Sequence, residues 1–118
     1  MNEPLGSQPL RVFIDQLKRS GFSGDCEQEF SSRLVCATDN SVYQKLPAAV
    51  LYPCTTEDVQ RIMRVASRPR YQHLVFAPRG GGTGTNGQSL TGGIVVDMSR
   101  YLINILELDV ERRRVRVQ

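Results

Sequence analysis

The stretch "AAVLYPCTTEDVQRIMRVASRPRYQHLVFA", Ala48 to Ala77, decides the fold. Its opening "AAVLY" is short, apolar and bounded by Pro47 and Pro53, which predicts a buried strand between prolines. "TTEDVQRIMRVASRP" then predicts a helix. Thr55 or Thr56 caps it, Glu57 and Asp58 occupy the first turn where the helix dipole favours anions, and Val59, Ile62, Met63 and Ala66 share one face. Pro69 ends the helix, and "HLVFA" follows as a second apolar strand. Strand, helix and strand within about 30 residues make a βαβ unit, right-handed by default, with its two strands parallel.

The segment leaving the second strand is "APRGGGTGTNGQS", Ala77 to Ser89, which holds five of the ten glycines. Open α/β sheets bind their ligands at the carboxyl ends of strands, where this segment begins. Gly82, Gly84 and Gly87 satisfy G-x-G-x-x-G, but a dinucleotide fingerprint needs a helix immediately afterwards. Here Gly92, Gly93 and a β-branched run follow instead. Gly82 to Ser89 also imitate a P-loop, with Gln88 in place of the lysine that meets the terminal phosphates. Both look-alikes are therefore disfavoured.

What remains is a strand–loop–strand element whose consecutive backbone amides can point inward. Gly80, Gly81, Gly82 and Gly84 allow positive φ and close approach, Thr83, Thr85, Asn86 and Ser89 add short donors, and Arg79 puts a positive charge at the mouth. Such a nest suits a diphosphate, whose charge is spread over several oxygens. A flexible surface loop would need only one or two glycines.

Upstream, Leu10, Phe13, Ile14 and Leu17 form one stripe of a helix that begins near Pro9 and stops at Gly21. From Gly24 to Lys45 the spacing is patchy and rich in turn formers, which predicts short helices joined by loops. Downstream, "GGIVVDMS" predicts a third strand buried on both faces, and "INILELD" and "RRVRVQ" alternate around "DVER" as a hairpin with one wet and one dry face. Asp97 reads as a turn acceptor and not as a ligand.

A chain of 118 residues with 40% hydrophobic residues supports one modest core. No apolar run approaches a membrane span, and the first residues lack the pattern of a signal peptide, so a cytoplasmic protein is expected. Cys26, Cys36 and Cys54 fit neither a zinc spacing nor an even disulfide framework and read as reduced, inert thiols. The net charge of +3 includes Arg112, Arg113, Arg114 and Arg116 packed at the carboxyl end. A solvated strand face accounts for these, and without interleaved stacking aromatics we expect no nucleic-acid partner. His73, the only histidine, reads as a surface residue at the far end of the sheet, and Tyr43, Tyr52, Tyr71 and Tyr101 read as half-buried rim residues.

The ordered series "DNSVYQKLPAAVLYPCTTEDVQRIMRVA" and "PRGGGTGTNGQSLTGGIVVDMSRYLINILELD" resembles the first half of the FAD-binding domain of the p-cresol methylhydroxylase and vanillyl-alcohol oxidase superfamily. Within it, the chain is most similar to FAD-linked 2-hydroxy-acid dehydrogenases. The resemblance covers Asp39 to Gln118. It implies FAD, with Arg79, Gly80, Gly81, Gly82, Thr83 and Gly84 around the diphosphate, and Asn86, Gly87, Gln88 and Ser89 toward the ribityl and isoalloxazine end. Pro53 would lie near the adenine side. Thr83 stands where covalent flavoproteins of this group carry histidine, which implies non-covalent FAD.

The implied fold is α+β, a small βαβ-containing mixed sheet with flanking helices that ends in a β-hairpin. Residues 1–45 would form a helical amino-terminal segment and 46–118 the first subdomain of the FAD-binding domain. The implied reaction oxidises a 2-hydroxy acid of the D-lactate or D-2-hydroxyglutarate type: a base takes the hydroxyl proton, and hydride passes to flavin N5. Catalytic residues, and any iron–sulfur ligands, would belong to a later domain; no metal site and no catalytic base are legible here. The chain thus reads as a fragment with weak or absent FAD binding, no turnover of its own and a strand edge open to homodimer pairing. A stand-alone phosphate- or nucleotide-binding module without redox chemistry is the alternative.

Overall fold

The computed structural model describes residues 7–118. Helix α1 (Ser7–Arg19) buries Phe13, Ile14 and Leu17, the stripe expected from their spacing. The segment after it departs from expectation. A short strand, β1 (Asp25–Glu27), precedes the only helix there, α2 (Phe30–Val35), so residues 24–45 are not wholly helix and loop. Three residues carry too little periodicity to announce a strand, and β1 exists because β2 offers it an edge: Cys26 pairs antiparallel with Leu51.

Strand β2 (Ala49–Tyr52) is buried throughout, and α3 (Thr56–Ala66) follows it. Thr55 caps α3, its hydroxyl accepting from the Asp58 amide at 3.1 Å. The buried face of α3 is Asp58, Ile62 and Val65; Met63, expected on it, is 59% exposed. Asp58 is the polar member of that buried face. Its carboxylate is fully buried and accepts from the Ser23 amide (3.0 Å), the Ser23 hydroxyl (2.6 Å) and the Cys54 amide (3.0 Å), with Arg61 at 3.1 Å. A buried carboxylate persists when this many donors face it.

The second strand of the unit, β3 (Phe76–Arg79), starts three residues later than the apolar run suggested, after a single 3₁₀ turn at Pro69–Tyr71. Strand β4 (Ile94–Asp97) is buried throughout, as expected for a strand covered on both faces. The sheet order is β1-β2-β4-β3. Thus β2 and β3 are parallel but not neighbours, because β4 inserts between them and pairs in parallel with both. Pro78 is tolerated because β3 lies at the edge.

One face of the sheet carries Ala49, Leu51, Ile94 and Val96 against Phe13, Ile14, Leu17, Ile62, Val65 and Tyr71. Phe13 meets Tyr71 edge-on with centroids 5.3 Å apart. Tyr71 is therefore a core residue and not a rim residue. The other face buries Val50, Tyr52 and Val95 with Cys36 at the end of α2. Burial pushes the Tyr52 phenol up, with help from Cys36 3.8 Å away, to about 12.

The hairpin forms as expected from β5 (Ile105–Asp109) and β6 (Arg114–Val117). Register puts Glu107 opposite Arg116 and Asp109 opposite Arg114 on one face, and Leu108 opposite Val115 on the other. The alternation is real, yet no described residue covers the apolar face: Leu108 is 70% and Val115 55% exposed.

Candidate nucleotide-binding site

Parallel pairing obliges the chain to return from the carboxyl end of β3 to the amino end of β4. It does so through Gly80 to Gly93 without a helix. This excludes a Rossmann turn on geometry, because no helix amino end faces the loop.

The loop's amides are uncommitted. Asn86 N donates to Gln88 Oε1 (3.0 Å) and Leu90 N to Gly87 O (3.0 Å), whereas the amides of Gly80 to Thr85 have no acceptor among the described residues. Two glycines adopt the left-handed region, Gly82 (φ 65°) and Gly87 (φ 74°). Gly80, Gly81 and Gly84, which are free to adopt it, do not. A Cβ at Gly80 would meet nothing within 4 Å, and one at Gly81 only Thr83 Cγ2 at 3.6 Å. Neither the backbone conformation nor the protein's own packing calls for glycine at these two positions.

Arg79 differs from its expected position as a charge at the mouth. Its side chain is 12% exposed and lies beneath Gly82, whose added Cβ would come within 2.7 Å of the guanidinium carbon. Nε stands 3.9 Å from Asp97 Oδ2, too far for a hydrogen bond, and Nη1 is buried with no partner. Asp97 is the turn acceptor the sequence suggested, taking the Ser99 amide at 2.8 Å and the Ser99 hydroxyl at 2.6 Å.

The far end of the loop is fixed through Ser89, which is buried and donates to Asp39 Oδ2 at 3.4 Å. Hydrogen bonds from Ser41 chiefly, with Ser89 and the Arg79 charge adding, hold the Asp39 carboxyl below its usual value against slight desolvation. Tyr43 lies against Gly87, a Cβ there being 3.1 Å from Tyr43 Cδ2. Neither Asp39 nor Tyr43 stood among the expected site residues. Their signal is the Asp-x-Ser turn at Asp39–Ser41, legible as a turn but not as a neighbour of the loop.

Thr83, Thr85, Asn86 and Gln88 are exposed, and Gly84 and Gly87 half-buried. Pro53 is buried at the end of β2. His73 is exposed beside a hollow that Ala48, Gly93 and Ile94 also line, at the amino ends of the strands, where the loop ends and not where its glycine run begins. Among the described residues no group of His, Cys, Asp and Glu could hold a metal ion, and no helix is long and apolar enough to cross a membrane. The three cysteines are unpaired.

The donor set fits a dinucleotide diphosphate: consecutive free amides, glycines that leave space, and a buried guanidinium with an unused N–H. A family model described as FAD binding domain matches residues 47–118. D-2-hydroxyglutarate dehydrogenase of Pseudomonas putida is 54% identical over 106 residues, covering 90% of this chain and 10% of that protein. The enzyme of the same name from Haemophilus influenzae is 53% identical over 115 residues, 98% of this chain and 11% of that one. Glycolate oxidase subunit GlcD of Bacillus subtilis is 34% identical over 90 residues, 75% and 18% of the respective chains. This chain spans about a tenth of the length of the dehydrogenases.

Among solved structures, alkyldihydroxyacetonephosphate synthase superposes with a TM-score of 0.75 at 19% identity, covering 92% of this chain and 24% of that one. BBE-like 1 of Physcomitrella patens gives 0.64 at 21% identity, covering 81% and 21%. These two show the fold alone. With its matching sequence model, uncommitted glycine loop and mixed sheet, the chain belongs to the FAD-binding domain family.

Proposed function

We propose that this chain supplies the diphosphate-binding part of a non-covalent FAD site in an enzyme that oxidises a 2-hydroxy acid of the D-2-hydroxyglutarate type. Arg79, Gly80, Gly81, Gly82, Thr83 and Gly84 hold the diphosphate, and Asn86, Gly87, Gln88 and Ser89 continue toward the flavin ring. Held there, FAD would supply the acceptor for the hydride that leaves the carbon bearing the hydroxyl. The protein's part here is to replace the water around two negative charges with fixed donors. The substrate class rests on the dehydrogenases that match most of the chain. Three unpaired thiols support a reducing, cytoplasmic setting. The uncovered apolar face of the hairpin is the surface for pairing of two copies.

The observation that carries the reading is Gly80. Alanine would fit the protein there, so the protein's own packing does not call for glycine, whereas a diphosphate lying on the backbone would. Gly80→Ala separates the two. We expect its unfolding free energy without ligand to be unchanged or raised by about 0.4–1 kcal/mol, as for Gly to Ala at an unstrained site. Its FAD affinity, read by quenching of flavin emission, should fall at least tenfold. Wild-type protein that leaves flavin emission and absorbance unchanged at saturating FAD would refute the proposal. A stand-alone phosphate module predicts instead that ADP and FAD bind alike.

A further inference from the structure

Residues 37–45 form a tight turn built from hydrogen bonds. The Lys45 amide donates to Ala37 O at 2.9 Å, Thr38 bridges Gln44, the Ser41 amide donates to Asp39 Oδ1 at 2.8 Å, and the Tyr43 amide donates to Ser41 Oγ at 3.1 Å. Asp39 also accepts from Ser89, which fastens the turn to the distal end of the glycine loop. At its tip stands Tyr43, 61% exposed, with its ring edge against Gly87. Gly87 has φ 74°, and a Cβ there would crowd that ring at 3.1 Å. Tyr43, Lys45, Asn86, Gly87 and Leu90 border a hollow of about 360 Å³. The Lys45 ammonium has no acidic partner within 4.0 Å among the described residues.

A large aromatic ring held on a rigid turn and left exposed at the end of an anion-binding loop is a stacking platform. Such platforms take flat π-systems, each stacked ring contributing enough to matter for affinity. The hollow lies beside Asn86 and Gly87, which the order of contacts proposed above puts toward the flavin, so on that reading its occupant follows the diphosphate on the ribityl side. Lys45 is exposed at the border of this hollow and of the one beside Gly92, and its ammonium matches the acceptors on the carbonyl-bearing edge of a flavin.

Resting on the FAD reading above, we infer that Tyr43 stacks on the isoalloxazine ring and that Lys45 donates to its carbonyl edge, so that the Asp39–Lys45 turn is the second wall of the cofactor site. The test compares wild type, Tyr43→Phe and Tyr43→Leu, with FAD, FMN and ADP as probes. Circular dichroism checks the fold, which an exposed side chain should not disturb. Tyr43→Leu should bind FAD and FMN about tenfold more weakly and leave ADP within twofold, while Tyr43→Phe keeps most of the affinity. The visible band of the bound flavin should shift in wild type and lose that shift in Tyr43→Leu. FAD binding with all three proteins alike in affinity and spectrum overturns the role of Tyr43 and spares the loop. Loss of ADP affinity with FMN unchanged overturns it too, since adenine would then fill the hollow. Failure of wild type to bind any of the three overturns this inference together with the FAD reading.

Discussion

Replacing Arg79 by methionine should act in opposite directions on the free and ligand-bound protein. In the free protein the Arg79 side chain is 12% exposed, Nη1 has no partner, and Nε meets Asp97 only at 3.9 Å. A buried unsatisfied donor costs about 1–3 kcal/mol. The ion pair to Asp97, long at 3.9 Å and without a hydrogen bond, offsets part of that, and Ser99 still donates to Asp97 when the guanidinium is gone. Methionine has similar reach and fills irregular space without a polar group. Removing the guanidinium should therefore leave stability unchanged or raise it by up to about 2 kcal/mol. Binding should suffer. A charge-assisted hydrogen bond to phosphate contributes about 1.5–3 kcal/mol, which corresponds to about 10- to 150-fold in Kd. Arg79→Lys keeps the charge and loses the planar fork, so its affinity should fall between the two. Thermal unfolding without ligand and FAD titration of the same preparations read both terms. A loss of more than about 2 kcal/mol in the free protein with unchanged FAD affinity would make Arg79 a structural ion-pair partner and refute the reasoning.

Gly82→Ala forces a side chain to φ 65° and into the Arg79 guanidinium, so it should lower stability by about 1–2 kcal/mol and weaken FAD as well, in contrast to Gly80→Ala. Burial pushes the Asp58 carboxyl up, but Ser23, Cys54 and Arg61 outweigh it and hold it below 3.8. Its contribution is therefore complete above about pH 3.8 and is lost as pH falls through the lower folded value; Asp58→Asn should cost about 1–3 kcal/mol at neutral pH and flatten the acid limb of a stability–pH curve. If the hairpin's apolar face pairs two copies, sedimentation should show concentration-dependent association in wild type and a monomer in Leu108→Lys; equal behaviour of the two would remove that face from consideration.

Residues with one job were legible from sequence. Phe13, Ile14 and Leu17 could only be a buried helix stripe, and Ile94, Val95 and Val96 only a covered strand, because burial on one or both sides leaves no other period. The hairpin's turn and pairing were legible from the alternation of its side chains, although its apolar face stays uncovered. Tertiary facts were not. That β4 lies between β2 and β3 depends on which edge the returning chain finds, and β1 depends on the edge of β2; neither edge is a property of the segments themselves. Asp58 reads as a first-turn helix acid, and only the folded approach of Ser23, thirty-five positions away, makes it a buried hub. In the site, the glycine run announces an anion loop, but the tucked position of Arg79 and the contact of Tyr43 with Gly87 come from packing between distant segments.

The central claim is that the amides from Gly80 to Thr85 are held free for a diphosphate, and backbone amide spectra of ¹⁵N-labelled protein during titration with FAD read those groups one by one. The account predicts that the largest displacements fall on Gly80 to Thr85 and saturate together with the flavin signal. Displacements that spare these residues and gather instead on the Arg112–Arg116 strand would contradict it.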